Sequence, residues 1–259
     1  MSERITPLTI TRVGFIGSIV VLAVAGLCVR LGFWQISRLH QRDARNQLIS
    51  ERMALAPIRM LPAFGDTVGL LYRQVVVSGR YDHDRTIVLP GRSLRGVPGV
   101  HVLTPVVLSG GRSAVLVNRG WQPSLDGLTV PLDSLRDPTT VTLTGLVLPF
   151  PGAGRTRPAL PASDSVFRRA WFSPDPEAIR KQFPYSLREV QVQALPGPDV
   201  PQRPIPLPPP ALDRGPHLGY AIQWFSFAAI AIGGWVALLL KKGELRRAVI
   251  LPETEAGES

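Results

Sequence analysis

Two long uncharged apolar stretches lie near the ends of the chain, and between them apolar residues recur only in short runs. Residues 218–240 (LGYAIQWFSFAAIAIGGWVALLL) carry no charge over 23 positions, and as a helix they measure roughly 35 Å, enough to cross a bilayer core. A second uncharged stretch covers 13–29 and continues through Leu31, Gly32, Phe33 and Trp34 once the Arg30 guanidinium bends toward the headgroups. Residues 34–53 then contain neither Pro nor Gly, so the first helix is expected to run on beyond the apolar stretch.

From residue 72 the period changes. Short runs rich in Val, Thr and aromatics, separated by Gly, Pro, Asp and Ser, predict strands at 72–81, 86–89, 100–107, 114–118, 140–148, 170–172 and 187–193. Val141, Leu143, Gly145 and Val147 alternate with Thr142 and Thr144, which gives that strand one core-facing side. Gly79 predicts a bulge in the first strand. Residues 149–165 read as a loop, and 195–216, with nine prolines, as an extended, semi-rigid linker.

The fold class expected is therefore a membrane protein in which two transmembrane α-helices flank an extracytoplasmic all-β domain, barrel- or sandwich-like. Its predicted segments are a cytoplasmic tail (1–12), the first span (13–34), a helical extension and linker (35–70), the periplasmic β domain (71–193), the Pro-rich linker (194–217), the second span (218–240) and a cytoplasmic tail (241–259).

Composition supports this division. The apolar fraction is 45% and the formal charge +10, but the basic residues flank the apolar stretches and accompany no nucleic-acid motif. Lipid headgroups are their expected partners, and nucleic acid is not. Lys241, Lys242, Arg246 and Arg247 follow the second span and place the C-terminus in the cytoplasm. Arg30, Arg38, Arg42 and Arg45 pull the other way, and the C-terminal cluster is taken to decide. Arg38, Arg42 and Arg45 share one helix face, a lipid-phosphate stripe or a rail for an anionic partner. A cleaved signal peptide is the alternative for the first stretch, with Arg4 and Arg12 in front and Ala23-Val24-Ala25 as the cleavage form. Apolar sequence past that point favours an uncleaved anchor. Cys28 is the only cysteine, which excludes an internal disulfide. Leu27 before it argues against lipidation, leaving a helix-packing or lipid-facing thiol.

Enzyme signatures are absent. There is no glycine-rich phosphate loop, paired-histidine zinc motif or nucleophile elbow, and His83 between Asp82 and Asp84 reads as a polar turn. Two constellations remain. Asn118-Arg119-Gly120-Trp121 closes the apolar run AVLV and is either a structural strand end, with arginine on an aromatic or a carboxylate, or a partner-docking surface. His217, Tyr220 and Trp224 share a helix face at the mouth of the second span. They form either an interfacial aromatic belt or a site for a flat amphipathic cofactor such as haem.

The segments LGFWQISR (31–38), YRQVVVSGRYD (72–82), GRSLRGVPGVHVLTPVVL (91–108), VLVNRGWQP (115–123) and PHLGYAIQWFSFA (216–228), in this order, resemble the surfeit locus protein one family, membrane-anchored assembly factors of cytochrome c oxidase. The resemblance implies a bacterial cytoplasmic-membrane protein with its middle domain in the periplasm. It also implies no turnover chemistry and a role in the respiratory chain where haem a reaches the catalytic subunit. Oxidase subunit one and other assembly factors would be its partners. On that footing His217 is expected to ligate haem iron, Tyr220 and Trp224 to cover the ring, and Arg214 and Arg38, with Arg30 near the same boundary, to hold propionates. The rival reading is a membrane-anchored scaffold that stabilises the nascent subunit without binding haem. A tethered enzyme built on His83 and Asp84 is a third.

Overall fold

A computed structural model describes residues 12–59, 67, 69–154, 167–197, 200 and 203–249, with the side chains of 12, 13 and 243–249 excepted. Both terminal tails, Arg246 and Arg247 of the C-terminal cluster, and most of the 149–165 loop lie outside the described residues or side chains. The chain divides into two compact units, one of residues up to Asn46 together with those from Asp213, the other Gln47–Leu212.

The first unit is a pair of antiparallel helices. α1 spans Arg12–Ala54 and α3 spans His217–Val249, and both are long and apolar enough to cross a membrane by length and composition. The α1 residues turned toward α3 include Ser18, Val21, Ala25, Cys28, Gly32 and Gln35, all buried or partly so. Their spacing alternates between three and four, the period of a left-handed helix pair. Small side chains let the backbones approach. A Cβ on Gly17 would lie 2.2 Å from the Trp235 ring, and one on Gly32 2.6 Å from the Phe225 ring. Trp235 Nε1 donates to Ser18 Oγ (2.9 Å), and Phe33 meets Phe225 edge-on at 5.4 Å. Cys28 is buried with Ala25 and Ala228 under Trp224, the helix-packing role. Away from the seam both helices present exposed Phe, Ile, Leu and Val, among them Phe15, Ile19, Ile222 and Ile230.

The second unit is a closed β-barrel-like domain. Its strands are β1 (Gln74–Tyr81), β2 (Ile87–Leu94), β3 (Val97–Leu108), β4 (Ser113–Pro123), β5 (Thr140–Pro149) and β6 (Ser186–Ala194), with a one-and-a-half-turn helix α2 (Pro176–Lys181) before the last. The hydrogen-bonded order is β1-β5-β6-β4-β3-β2, and a further β1–β3 pairing closes the ring. All pairs are antiparallel except β4–β6. β1 and β2 run along successive halves of β3, Tyr81 opposite Val106 and Ile87 opposite Leu103. They behave as one strand interrupted by the short helical turn His83–Arg85. Gly79 is therefore no bulge. It pairs with Leu108 on one side and Val141 on the other, and a Cβ there would stand 2.3 Å from the Val107 carbonyl oxygen. Its missing side chain is what lets the ring close.

All five ring strands contribute to the interior, through residues such as Val75, Val106, Val115, Leu143 and Val192. A second apolar layer, including Leu103, Leu116, Trp171, Ile179 and Phe183, packs on the outside. β4 is buried on both faces, which is why AVLV reads as a continuous apolar run rather than an alternation. Seven strands were expected and six form. The 170–172 segment makes only an isolated bridge, Trp171 N donating to Val88 O and Val88 N to Arg169 O. The first strand begins at Gln74 because Tyr72 has φ 65°, a left-handed conformation that ends extended pairing.

His101, on β3 opposite Leu89 and Trp121, has its pKa pushed down to about 4 by burial and then by the Arg92 charge. The unfolded chain therefore binds one more proton than the folded one between pH 6.5 and about 4. His101 contributes stability that is complete above pH 6.5 and is lost as the pH falls through that window. Unfolding of the full chain in detergent is expected to show a slope approaching about 1.4 kcal/mol per pH unit there, and His101→Gln to flatten it, as read by chemical denaturation at a series of pH values.

Candidate functional site

The Asn118–Trp121 segment and the start of α3 are the two places where the sequence concentrates polar, cationic and aromatic groups, and they build in different ways. On β4, Asn118 pairs with Leu103 and Gly120 with Val102, so Arg119 is an extra residue, a bulge. Paired residues share a sheet face, and the extra residue turns Trp121 to the face opposite that of Val115 and Val117. Asn118 Oδ1 accepts from Gly120 N at 3.1 Å, which fixes the kink. Gly120 has φ 137°, and a Cβ on it would lie 2.2 Å from the Ile205 carbonyl oxygen.

That close approach positions the Pro-rich segment. Trp121 and Ile205 exchange both backbone hydrogen bonds at 2.8 Å, and Gln193 Nε2 donates to the carbonyls of Leu207 and Pro208. The segment around Ile205, part of the expected extended, semi-rigid linker, is thus strapped to β4 and β6.

Arg119 is only 4% exposed. Its Nη2 donates to the Leu135 carbonyl and to Asp137 Oδ2, both at 2.5 Å, and the guanidinium lies 5.3 Å over the Tyr81 ring. Burial pushes the Tyr81 hydroxyl up to about 12, so it stays protonated. A cavity of about 190 Å³, lined among others by Tyr81, Arg119, Asp137, Thr142 and Arg203, adjoins this cluster. Of the two readings of Asn118, Arg119, Gly120 and Trp121, the geometry matches the structural strand end: all four are buried, and the arginine both stacks on an aromatic and pairs with a carboxylate.

His83 does not form a triad. Its ring nitrogen Nε2 contacts the Asp137 carbonyl at 3.1 Å, while Asp82 accepts from Arg85 and from the Tyr185 hydroxyl, and Asp84 from Arg136. Both neighbouring carboxylates are thus engaged elsewhere.

At the start of α3, His217 Nδ1 and Gln35 Oε1 are 2.8 Å apart. A carbonyl oxygen only accepts, so Nδ1 carries the proton. Arg214 makes a two-pronged pair with Asp43, Nε to Oδ1 at 2.9 Å and Nη2 to Oδ2 at 2.7 Å. Tyr220 is 48% exposed, whereas Trp224 packs into the helix seam and meets Phe227 edge-on. Arg38 lies 5.7 Å over the Trp34 ring and donates to Gln41, and Arg30 is exposed. The helix pair therefore brings His217 and Arg214 to α1, but through Gln35 and Asp43. Sequence reasoning missed both partners, since they are 182 and 171 residues away and carry no local marker.

The sequence profile of the SURF1 family matches residues 22–229, a stretch containing most of the helix seam, the whole barrel and both constellations. The chain belongs to the SURF1 family. It is 26% identical over 237 residues to a SURF1-like protein of Monosiga brevicollis, covering 86% of this chain and 87% of that one. A SURF1-like protein of Rickettsia felis is 27% identical over 222 residues, covering 82% of this chain and 91% of its own. Surfeit locus protein 1 of Xenopus tropicalis is 28% identical over 233 residues, covering 82% and 72%.

For this SURF1-family chain the buried pair predicts a stability effect. Arg119→Ala leaves Asp137 without its cation in a mostly buried position, and is expected to destabilise the fold by about 3 kcal/mol. Arg119→Lys should recover part of that, having the charge but not the planar fork. Urea unfolding followed by tryptophan fluorescence measures both.

Proposed function

We propose that this protein is a membrane-anchored assembly factor of cytochrome c oxidase, which spans the cytoplasmic membrane twice with its barrel on the periplasmic side and assists the passage of haem a to the catalytic subunit. Family membership supports the assembly role. The exposed apolar faces of α1 and α3 support the membrane placement, since two such helices in water would leave far more apolar surface uncovered than a soluble protein tolerates. Lys241 and Lys242 after the apolar part of α3 support a cytoplasmic C-terminus. A reporter active only in the periplasm is expected to work when fused after Gly152 and to be silent at Ser259. Reversed signals would overturn the orientation.

The single observation that carries the haem step is His217. With Nδ1 bonded to Gln35, its Nε2 has no hydrogen-bond partner among the described residues, and a bare imidazole nitrogen at a membrane boundary fits an axial ligand. Arg38, which pairs with no carboxylate among the described residues, fits a propionate partner. Arg214 fits less well because Asp43 already holds both prongs of its guanidinium. Tyr220 stands free enough to meet a ring, while Trp224 serves the helix seam first. Haem a bound there would supply an iron for Nε2 and propionates for the cationic side chains. The protein's part is to offer Nε2 and shield one side of the ring.

Arg214's prior engagement favours the scaffold reading to the extent that the cationic clamp is weakened. The absorbance spectrum of protein purified from cells that also make haem a separates the two. His217→Ala is expected to insert and fold but to lose the haem band, whereas Tyr220→Phe retains most of it. A His217→Ala protein with its full complement of haem would overturn ligation and leave the scaffold.

A further inference from the structure

We propose that Gln35 is the positioning residue of this site: its side-chain carbonyl, reaching from α1, holds the His217 proton on Nδ1 and so reserves Nε2 for an incoming metal. The inference rests on the haem reading above and adds to it a residue outside α3.

Gln35 is buried to 9% exposure in the seam between the helices, a place where an amide must find a partner. Its partner is the imidazole, at 2.8 Å. A neutral imidazole has one proton for two nitrogens, and the acceptor on one side dictates which nitrogen keeps it. Gln35 Oε1 puts the proton on Nδ1, which leaves the lone pair on Nε2. An N–H donated to a carbonyl also makes the opposite nitrogen a stronger donor to a metal and fixes the plane of the ring, as partners behind a metal-bound histidine do.

The surroundings of Nε2 agree. Gly215, at φ 68°, folds the chain back over the ring edge, and a Cβ built on it would lie 3.4 Å from Nε2 and 3.3 Å from Cδ2. With glycine there the nitrogen's approach is not covered by a side chain. One helix thus carries the ligand and the other carries the group that sets its protonation. A slip of α1 against α3 by a single residue moves Gln35 about 1.5 Å along the axis, enough to break a 2.8 Å hydrogen bond. Competence for the metal is therefore coupled to the register of the two helices.

The test compares full-length protein carrying Gln35→Leu, Gln35→Glu or His217→Ala, purified apo in detergent and titrated with haem. Absorbance gives affinity, and redox titration gives the midpoint potential. Gln35→Leu is expected to weaken binding about 10- to 100-fold. Gln35→Glu restores an acceptor for Nδ1–H and should retain binding with a midpoint lower than that of the unaltered protein, a change of potential that mere helix packing would not produce. If Gln35→Leu binds haem with unchanged affinity and spectrum while His217→Ala does not, the positioning role is wrong and the haem reading stands. If His217→Ala also binds unchanged, the haem reading itself has failed. Weakened binding by both Gln35 variants to the same degree, with an unchanged potential, would reduce Gln35 to a packing residue.

Discussion

A guanidinium taken out of water has to be neutralised and hydrogen-bonded where it lies, and much of the barrel's architecture around Arg119 follows from that requirement. The arginine reaches the interior end of the ring because β4 carries one residue more than β3 at that point. There it finds Asp137 and the Leu135 carbonyl on the connection between β4 and β5, and the face of Tyr81 on β1. Three separate parts of the chain are thereby tied to one side chain. The same bulge needs Gly120, and the space Gly120 leaves is filled by the backbone at Ile205. A residue pattern that looks like an exposed recognition motif is thus a joint holding the ring, the β4–β5 connection and the Pro-rich segment together.

The helix pair uses the opposite chemistry. Its seam is lined by glycine, alanine, serine and the lone cysteine, which bring two backbones close without a large apolar driving force. Polar contacts stand toward its ends: Trp235 with Ser18 near one, His217 with Gln35 and Arg214 with Asp43 toward the other. In an apolar setting such contacts are directional where side-chain packing is forgiving, so they fix the register that the small residues merely permit.

Helices α1 and α3 were legible because an uncharged apolar run of that length is long enough for a helix that could cross a membrane, and the run of 34–53 without Pro or Gly carried α1 through to Ala54. Four of the six strands were found within a few residues by alternation or β-branched content, but β2 and β4 were placed only at their starts, since the second half of β2 contains Pro90 and Gly91 and follows a register shift, and β4 runs on past its bulge at Arg119. The closure of the ring was not legible. It rests on β1 pairing with β3 across residues 79–81 and on the parallel β4–β6 pair, which no local pattern announces. At the candidate site, His217 and Arg214 were legible as residue types at a boundary, whereas their partners depend on the antiparallel seam. The burial of Arg119 was illegible for a similar reason: Asp137 is close in sequence, but only the bulge aims the two at one another.

The order of the strands also constrains how the barrel can be made. β1, the first strand to be synthesised, is held by β5, and β4 is held by β6, so each early strand waits for a late one. A nascent chain that has delivered β1 to β4 has a β2–β3–β4 meander and a short β1–β3 contact, but an open interior with Val75, Val115 and Val117 in water. The ring is complete only when Ala194 has arrived, and such long-range closure is slow compared with local pairing. A chain that stops before β6 would therefore leave the apolar interior of the ring uncovered and strand edges unpaired, the features that make a half-built sheet adhesive.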